Sequence, residues 1–243
     1  MKNKNNFAAL FALALAAALV LNTSVCAQAP PGSLWYNGDW NYVNGLANER
    51  NTAVTQAAVY DDFNVTAPLG WNVTAVFSDN LITPNTVVGA DWEIRTGISE
   101  GNAGTLIASG TTNSPLVTLI DDLHQIPEYM VEATGLNVFL PMLPSGQHYW
   151  LNVTPVGNGF GRSFNSTTSG TNCVGTPCGN DDNSFFNSTF FGAYFDHASN
   201  YVGFPADFSN GVIGTVVPEP ATVALLTCGV GALLIALRRR RSV

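Results

Sequence analysis

Lysine is missing from the whole middle of this 243-residue chain. Between Gln28 and Val217 the basic side chains other than histidine are Arg50, Arg95 and Arg162, set against sixteen carboxylates, a formal charge of −13. A body this acidic repels phosphate backbones, which excludes nucleic acid as a partner. It remains compatible with divalent cations or with simple solubility. Cysteine is scarce too: of four, Cys26 and Cys228 fall in the terminal segments, leaving Cys173 and Cys178 in the body. The three histidines, His124, His148 and His197, are far apart, with no spacing that reads as a zinc motif. No G-x-S-x-G, no phosphate-cradling glycine loop and no EF-hand loop occurs, so the chain carries none of the short signatures of common catalysts.

What is present begins at the termini. Lys2 and Lys4 precede an apolar run from Phe7 to Leu21, then the small residues of Val25-Cys26-Ala27-Gln28-Ala29. That order reads as a secretory signal peptide over residues 1–27, with cleavage after Ala27 or Ala29. At the other end Ala221 to Leu237 is uncharged and mostly apolar, 17 residues long, followed at once by Arg238, Arg239, Arg240 and Arg241. The length is the lower limit for a helix that crosses a bilayer. The arginines hold their end in the cytoplasm, which leaves the body outside. Both termini therefore predict export. Just before the apolar run stands Val217-Pro218-Glu219-Pro220. Two prolines around a carboxylate keep this spot extended, the form in which a processing enzyme grips a chain.

Motif, short spanning segment and arginine cluster, in that order, resemble the PEP-CTERM sorting signal of bacterial surface proteins. Pro218, Glu219 and Pro220 match the motif, and Ala221-Thr222 continue it. The resemblance covers residues 217–243. It implies an exosortase as processing partner, a precursor held in the inner membrane, removal of the tail, and delivery to the cell surface or the exopolysaccharide matrix. The stretches "VYDDF", "GWNVTAVF", "WEIRTGISEGNAGTLIASG", "HYWLNVTP" and "FDHASNYVGFPADFSNGVIGT" are similar to an ectodomain that recurs in such proteins. That second resemblance implies a sandwich and supplies no activity.

The body, residues 28–216, has the length of one β domain. "WNVTAVF" alternates, with Trp71, Val73, Ala75 and Phe77 on one face, and "HYWLNVTPV" places Tyr149, Leu151 and Val153 opposite His148, Trp150 and Asn152. Period two with β-branched and aromatic residues predicts half-buried strands. Further short runs separated by Pro68-Leu69-Gly70, Gly101-Asn102 and Pro144-Ser145-Gly146 predict an all-β single sandwich, with a jelly roll as one form of it. Gly157 to Phe185, rich in Gly, Ser, Thr and Asn, reads as a long surface excursion. Cys173 and Cys178 lie within it around Gly175 and Pro177; an oxidising compartment lets such a pair form a disulfide, and half of a metal site is the other reading of the spacing.

Three patterns carry candidate chemistry. Asp181-Asp182-Asn183 clusters oxygen ligands in a loop, as calcium prefers. "SLWYNGDWNYVNG" interleaves Trp35, Tyr36 and Trp40 with amides, a glycan-stacking platform to which Trp150 adds a second element; the competing reading sends these rings to the core. Glu128 and Glu132 share a face if helical, which gives a solvated face rather than a glycosidase pair. The reading is an exported, non-catalytic structural or adhesive protein. A carbohydrate-binding module assisted by calcium is the alternative, and an exported glycoside hydrolase a more distant one.

Overall fold

The computed structural model describes residues 29–51, 53–82, 86–122, 126–159 and 161–219. The segment expected to be a signal peptide, residues 1–27, with His124, Pro220, the apolar run 221–237 and the arginines 238–241, lies outside them. Among the described residues no helix is long and apolar enough to cross a membrane.

The body is all-β, built from two sheets. Sheet one holds β1 (Ser33–Tyr36), β14 (Asn210–Val216), β5 (Trp71–Ile82), β11 (Ser163–Thr168) and β2 (Trp40–Ala47) in that order, with β9 (Glu128–Leu140) along the other side of β5 and β8 (Leu116–Asp121) beyond it. Sheet two runs β13 (Ala193–His197), β12 (Phe185–Ser188), β4 (Thr55–Phe63), β3 (Glu49–Asn51), β10 (Tyr149–Asn158), β6 (Thr86–Thr96) and β7 (Thr105–Thr112). Pairing is antiparallel except for the short β10–β3 contact. A single turn of helix, α1 (Ser199–Val202), follows β13 and ends on Gly203 in the left-handed region.

The sheets face each other across an aromatic centre. Phe63 stacks on Trp35 at 5.3 Å, on Tyr149 at 5.4 Å and on Trp71 at 6.1 Å between ring centroids, and all four are buried. These rings come from both sheets and are among the largest fully buried side chains, so their burial contributes strongly to closing the sandwich. The alternation of β10 is as expected: Tyr149, Leu151 and Val153 enter this core. That of β5 is not. A bulge between Val73 and Ala75 shifts the register, so Val73 and Val76 face the core while Phe77 turns to the opposite side and meets Tyr36 at 5.6 Å. One extra residue in a strand reverses every side chain beyond it.

Further along the interior turns polar. Asn48, fully buried where the chain leaves β2 for β3, joins the layers: its Nδ2 donates to Val153 O at 2.8 Å and Asn80 Oδ1 at 3.2 Å, while its Oδ1 accepts from Thr154 Oγ1 at 3.0 Å and Asn152 Nδ2 at 3.2 Å. Ser78 Oγ adds a bond to Val153 O at 2.8 Å. Amides and hydroxyls survive here because they satisfy one another.

Two expectations fail in this region. The segment 157–185 is not wholly an excursion: its residues Ser163–Thr168 form β11, an interior strand between β5 and β2. Small polar side chains line that strand because the neighbouring interior is itself polar. Glu128 and Glu132 do not share a solvated helical face; they lie in β9 and are buried, at 4% and 9% exposure.

Candidate functional site

The outer face of sheet two carries a depression of about 240 Å³. Its floor follows from strand register: Tyr60 of β4, Asn152 and Thr154 of β10, and Glu93 and Asp91 of β6 project outward, opposite the alternate residues that fill the core. Asn187, Ser188 and Thr189, at the end of β12, form one wall, and Glu49, Arg50 and Gln56 close the other end.

Three carboxylates line this depression and each is paired with an arginine. Arg50 Nη2 lies 3.0 Å from Asp91 Oδ1, its Nε also contacts that carboxylate, and Thr111 Oγ1 donates to it at 2.6 Å. Arg95 Nε donates to Glu93 Oε2 at 2.6 Å, and Tyr60 OH reaches the same oxygen at 2.8 Å. Arg162 Nε donates to Glu49 Oε1 at 2.6 Å, with Ser163 N on the second oxygen at 2.9 Å. Burial raises the Glu49 carboxyl above its ordinary pKa, against the pull of Ser163 and Arg162. Burial likewise drives the Tyr60 hydroxyl far above its usual pKa, with the Glu93 charge adding to it. Tyr60 stays a neutral donor.

A second depression, of about 250 Å³, adjoins the first and shares Gln56 and Thr189 with it; Asn51, Val54, Thr55 and Phe190 complete its lining. Phe190 is 67% exposed, with Phe191 edge-on at 5.0 Å. Tyr194, 59% exposed, pairs in register with Asn187 of the first wall.

Carboxylates not engaged by arginine gather at two other places. In the first, Asp61 points inward from β4 and accepts from Asn37 Nδ2 at 2.9 Å and Phe208 N at 2.8 Å, tying sheet two to the strand ends of sheet one. Asp62 points outward, and His148 Nδ1 lies 2.6 Å from its Oδ2. Asp207 accepts the backbone N–H groups of Asp181 at 2.5 Å, Asp182 at 3.0 Å and Asn183 at 3.2 Å. Burial, with the charges of Asp181 and Asp207 added, pushes the Asp62 carboxyl up to about 8. Burial takes Asp207 to about 7, partly offset by the bond from Asp181 N. In the second, Tyr36 OH lies 3.0 Å from both Asp79 Oδ2 and Asp39 Oδ1. Burial raises Asp79 well above the carboxylate range, with Glu128 adding to it, and burial brings Glu128 to about 7.

The residues singled out from sequence are distributed as follows. Cys173 and Cys178 are disulfide-bonded, with Cα atoms 5.7 Å apart. Their loop is held on β1 by two backbone bonds between Tyr36 and Val174. The glycan platform is not formed: Trp35, Tyr36 and Trp150 are buried, at 0%, 2% and 6% exposure, and offer no ring face to a sugar. Trp35 Nε1 donates to Pro177 O and Trp150 Nε1 to Asn183 O, both at 3.1 Å, so even their polar edges point into the protein. Trp40 is half-buried, bonded to Asn44 O at 2.9 Å and packed on Tyr42. The turn Asp181-Asp182-Asn183 directs its backbone N–H groups at Asp207, so its inner side is already filled by a carboxylate. Among the described residues no three His, Cys, Asp or Glu side chains converge as a metal-holding group. Pro218 and Glu219 are exposed just past β14.

Sequence reasoning missed the groove. Its lining comes from five strands scattered along the chain, and the available signal was the rarity of basic residues. No protein-family model, curated protein or solved structure matches the chain.

Proposed function

We infer that this chain is an exported surface or matrix protein with a non-catalytic, structural or adhesive body. Residues 1–27 direct export, 221–237 hold the precursor in the inner membrane, and an exosortase acts at Val217–Pro220. The sandwich is read as jelly-roll-like, its first and last strands side by side. The observation that carries the reading is the position of the motif relative to the fold. β14 ends at Val216, Val217 N makes one last bond to Gly70 O at 3.0 Å, and Pro218 and Glu219 are exposed. Cleavage beyond that point takes no strand from either sheet and leaves the motif accessible. The arginine-paired carboxylates of the groove favour binding over hydrolysis, which requires one carboxyl kept free as an acid.

Intact-mass measurement of the surface protein tests this. The expected product begins at Gln28 or Pro30 and ends in the motif region. Recovery of an Arg238–Arg241 peptide from surface material refutes it.

A further inference from the structure

The arginines of the body have one destination. Arg50, Arg95 and Arg162, all the lysine and arginine between Gln28 and Val217, bind Asp91, Glu93 and Glu49, and those three carboxylates line one depression. The depression is therefore charge-balanced, while the whole formal charge of −13 falls elsewhere on the body. Arg50 lines the depression beside Asp91, while Arg95 and Arg162 neutralise Glu93 and Glu49 from outside the lining. A lining whose carboxylates are all neutralised suits an occupant that is itself uncharged.

The lining points to the chemistry of that occupant. Gln56, Asn187 and Thr189 offer both donors and acceptors at the groove surface, the pattern that suits hydroxyl groups. Phe190 lines the second depression and Tyr194 stands on β13 beside Asn187 of the first wall, each more than half exposed, so that single aromatic rings can lie against the apolar face of a pyranose. The two depressions, about 240 and 250 Å³, share Gln56 and Thr189 and so lie side by side, an arrangement that suits consecutive units of a chain. An anionic polymer would meet the repulsion of the surrounding carboxylates over about 10 Å at 0.1 M salt. An apolar peptide would leave the amides and paired carboxylates of the floor desolvated without partners.

We propose that this groove binds a segment of neutral polysaccharide. Gln56, Asn187 and Thr189 hydrogen-bond its hydroxyls, and Phe190 and Tyr194 stack on its rings. The site depends on the groove alone. Failure of tail processing leaves it standing, and its failure leaves the sorting reading standing.

The test is affinity electrophoresis and calorimetry of the exported protein. The neutral probes are hydroxyethyl cellulose, laminarin, galactomannan and dextran; the anionic probes are alginate and polygalacturonate. Retardation by at least one neutral polymer is expected, with none by the anions. Phe190→Ala/Tyr194→Ala and, separately, Gln56→Ala should each weaken binding about tenfold. Phe139→Ala, at a ring also more than half exposed but on the other sheet, should bind like the unaltered protein. Thermal unfolding of every variant establishes that its fold is retained. The proposal is overturned if no neutral polymer binds, if the groove variants bind undiminished, or if the anionic polymers bind as well as the neutral ones.

Discussion

Replacing Asp62 by Asn should make the protein more stable at pH 8 and flatten its response to pH. Asp62 is buried beside Asp61, Asp181 and Asp207, with His148 and Asn183 facing it, and its carboxyl titrates at about 8 in the fold against 3.8 when exposed. A raised carboxyl pKa means that the folded state holds the proton longer than the unfolded chain. Stability from this group is then complete below the unfolded value and is lost as pH rises through about 8. Each pKa unit corresponds to about 1.4 kcal/mol. Between pH 5 and pH 7 the unfolded chain has released this proton and the folded one keeps it, so the slope is about −1.4 kcal/mol per pH unit. Asp61, Asp79, Glu128 and Asp207 are displaced in the same direction. They keep the residual slope negative in the variant. Asparagine preserves the shape and cannot ionise. At pH 8 the gain is expected to be on the order of 2–4 kcal/mol, reduced by the lost contact with His148. Urea unfolding followed by tryptophan fluorescence, with the disulfide intact, at half-unit steps from pH 5 to 8.5, gives both curves. Unaltered protein that grows more stable from pH 5 to 8, or an Asp62→Asn variant that is the weaker of the two at pH 8, refutes the reasoning.

Other outcomes follow from features already described. Glu219→Gln should trap the precursor in the inner membrane fraction, and normal release of that variant counts against recognition of the motif. Reduction of Cys173–Cys178 should cost only about 2 kcal/mol, because the closed loop is short, so the sandwich should remain folded by circular dichroism; global unfolding on reduction would contradict this. Asn48→Ala strands partners in both layers and should lower stability by roughly 2–4 kcal/mol in the same urea assay; a loss under about 1 kcal/mol would mean that water replaces the amide.

The sequence disclosed the sandwich wherever burial is apolar. Tyr149, Leu151 and Val153 alternate cleanly and β10 lies where they place it. It failed where burial is polar. "SFNSTT" has no apolar face, so β11 is invisible until Asn48 and Asn80 are seen to supply the polar interior beside it. The i, i+4 spacing of Glu128 and Glu132 suits a helix, but in a strand the same spacing also shares a face, and only pairing with β5 and β8 decides between them. The bulge in β5 leaves no mark in a stretch that alternates as evenly as "WNVTAVF". Trp35, Tyr36 and Trp150 followed the ordinary preference of large rings for the core. The exposed rings Phe190 and Tyr194 stand in a run that, to the eye, reads as one more strand.

β14 lies inside sheet one, with β1 on one flank and β5 on the other, and residues 217–219 leave directly from its end toward the C-terminal tail. A pull on that tail therefore loads a strand along its length. Over Gly211–Ile213, where β1 and β5 both pair with it, hydrogen bonds on both sides must shear together, instead of opening one at a time as they would on an edge strand that can be peeled. Were the chain tethered through that end, as proposed, the load would reach the fold along β14, and the lone bond from Val217 N to Gly70 O would be the first to part.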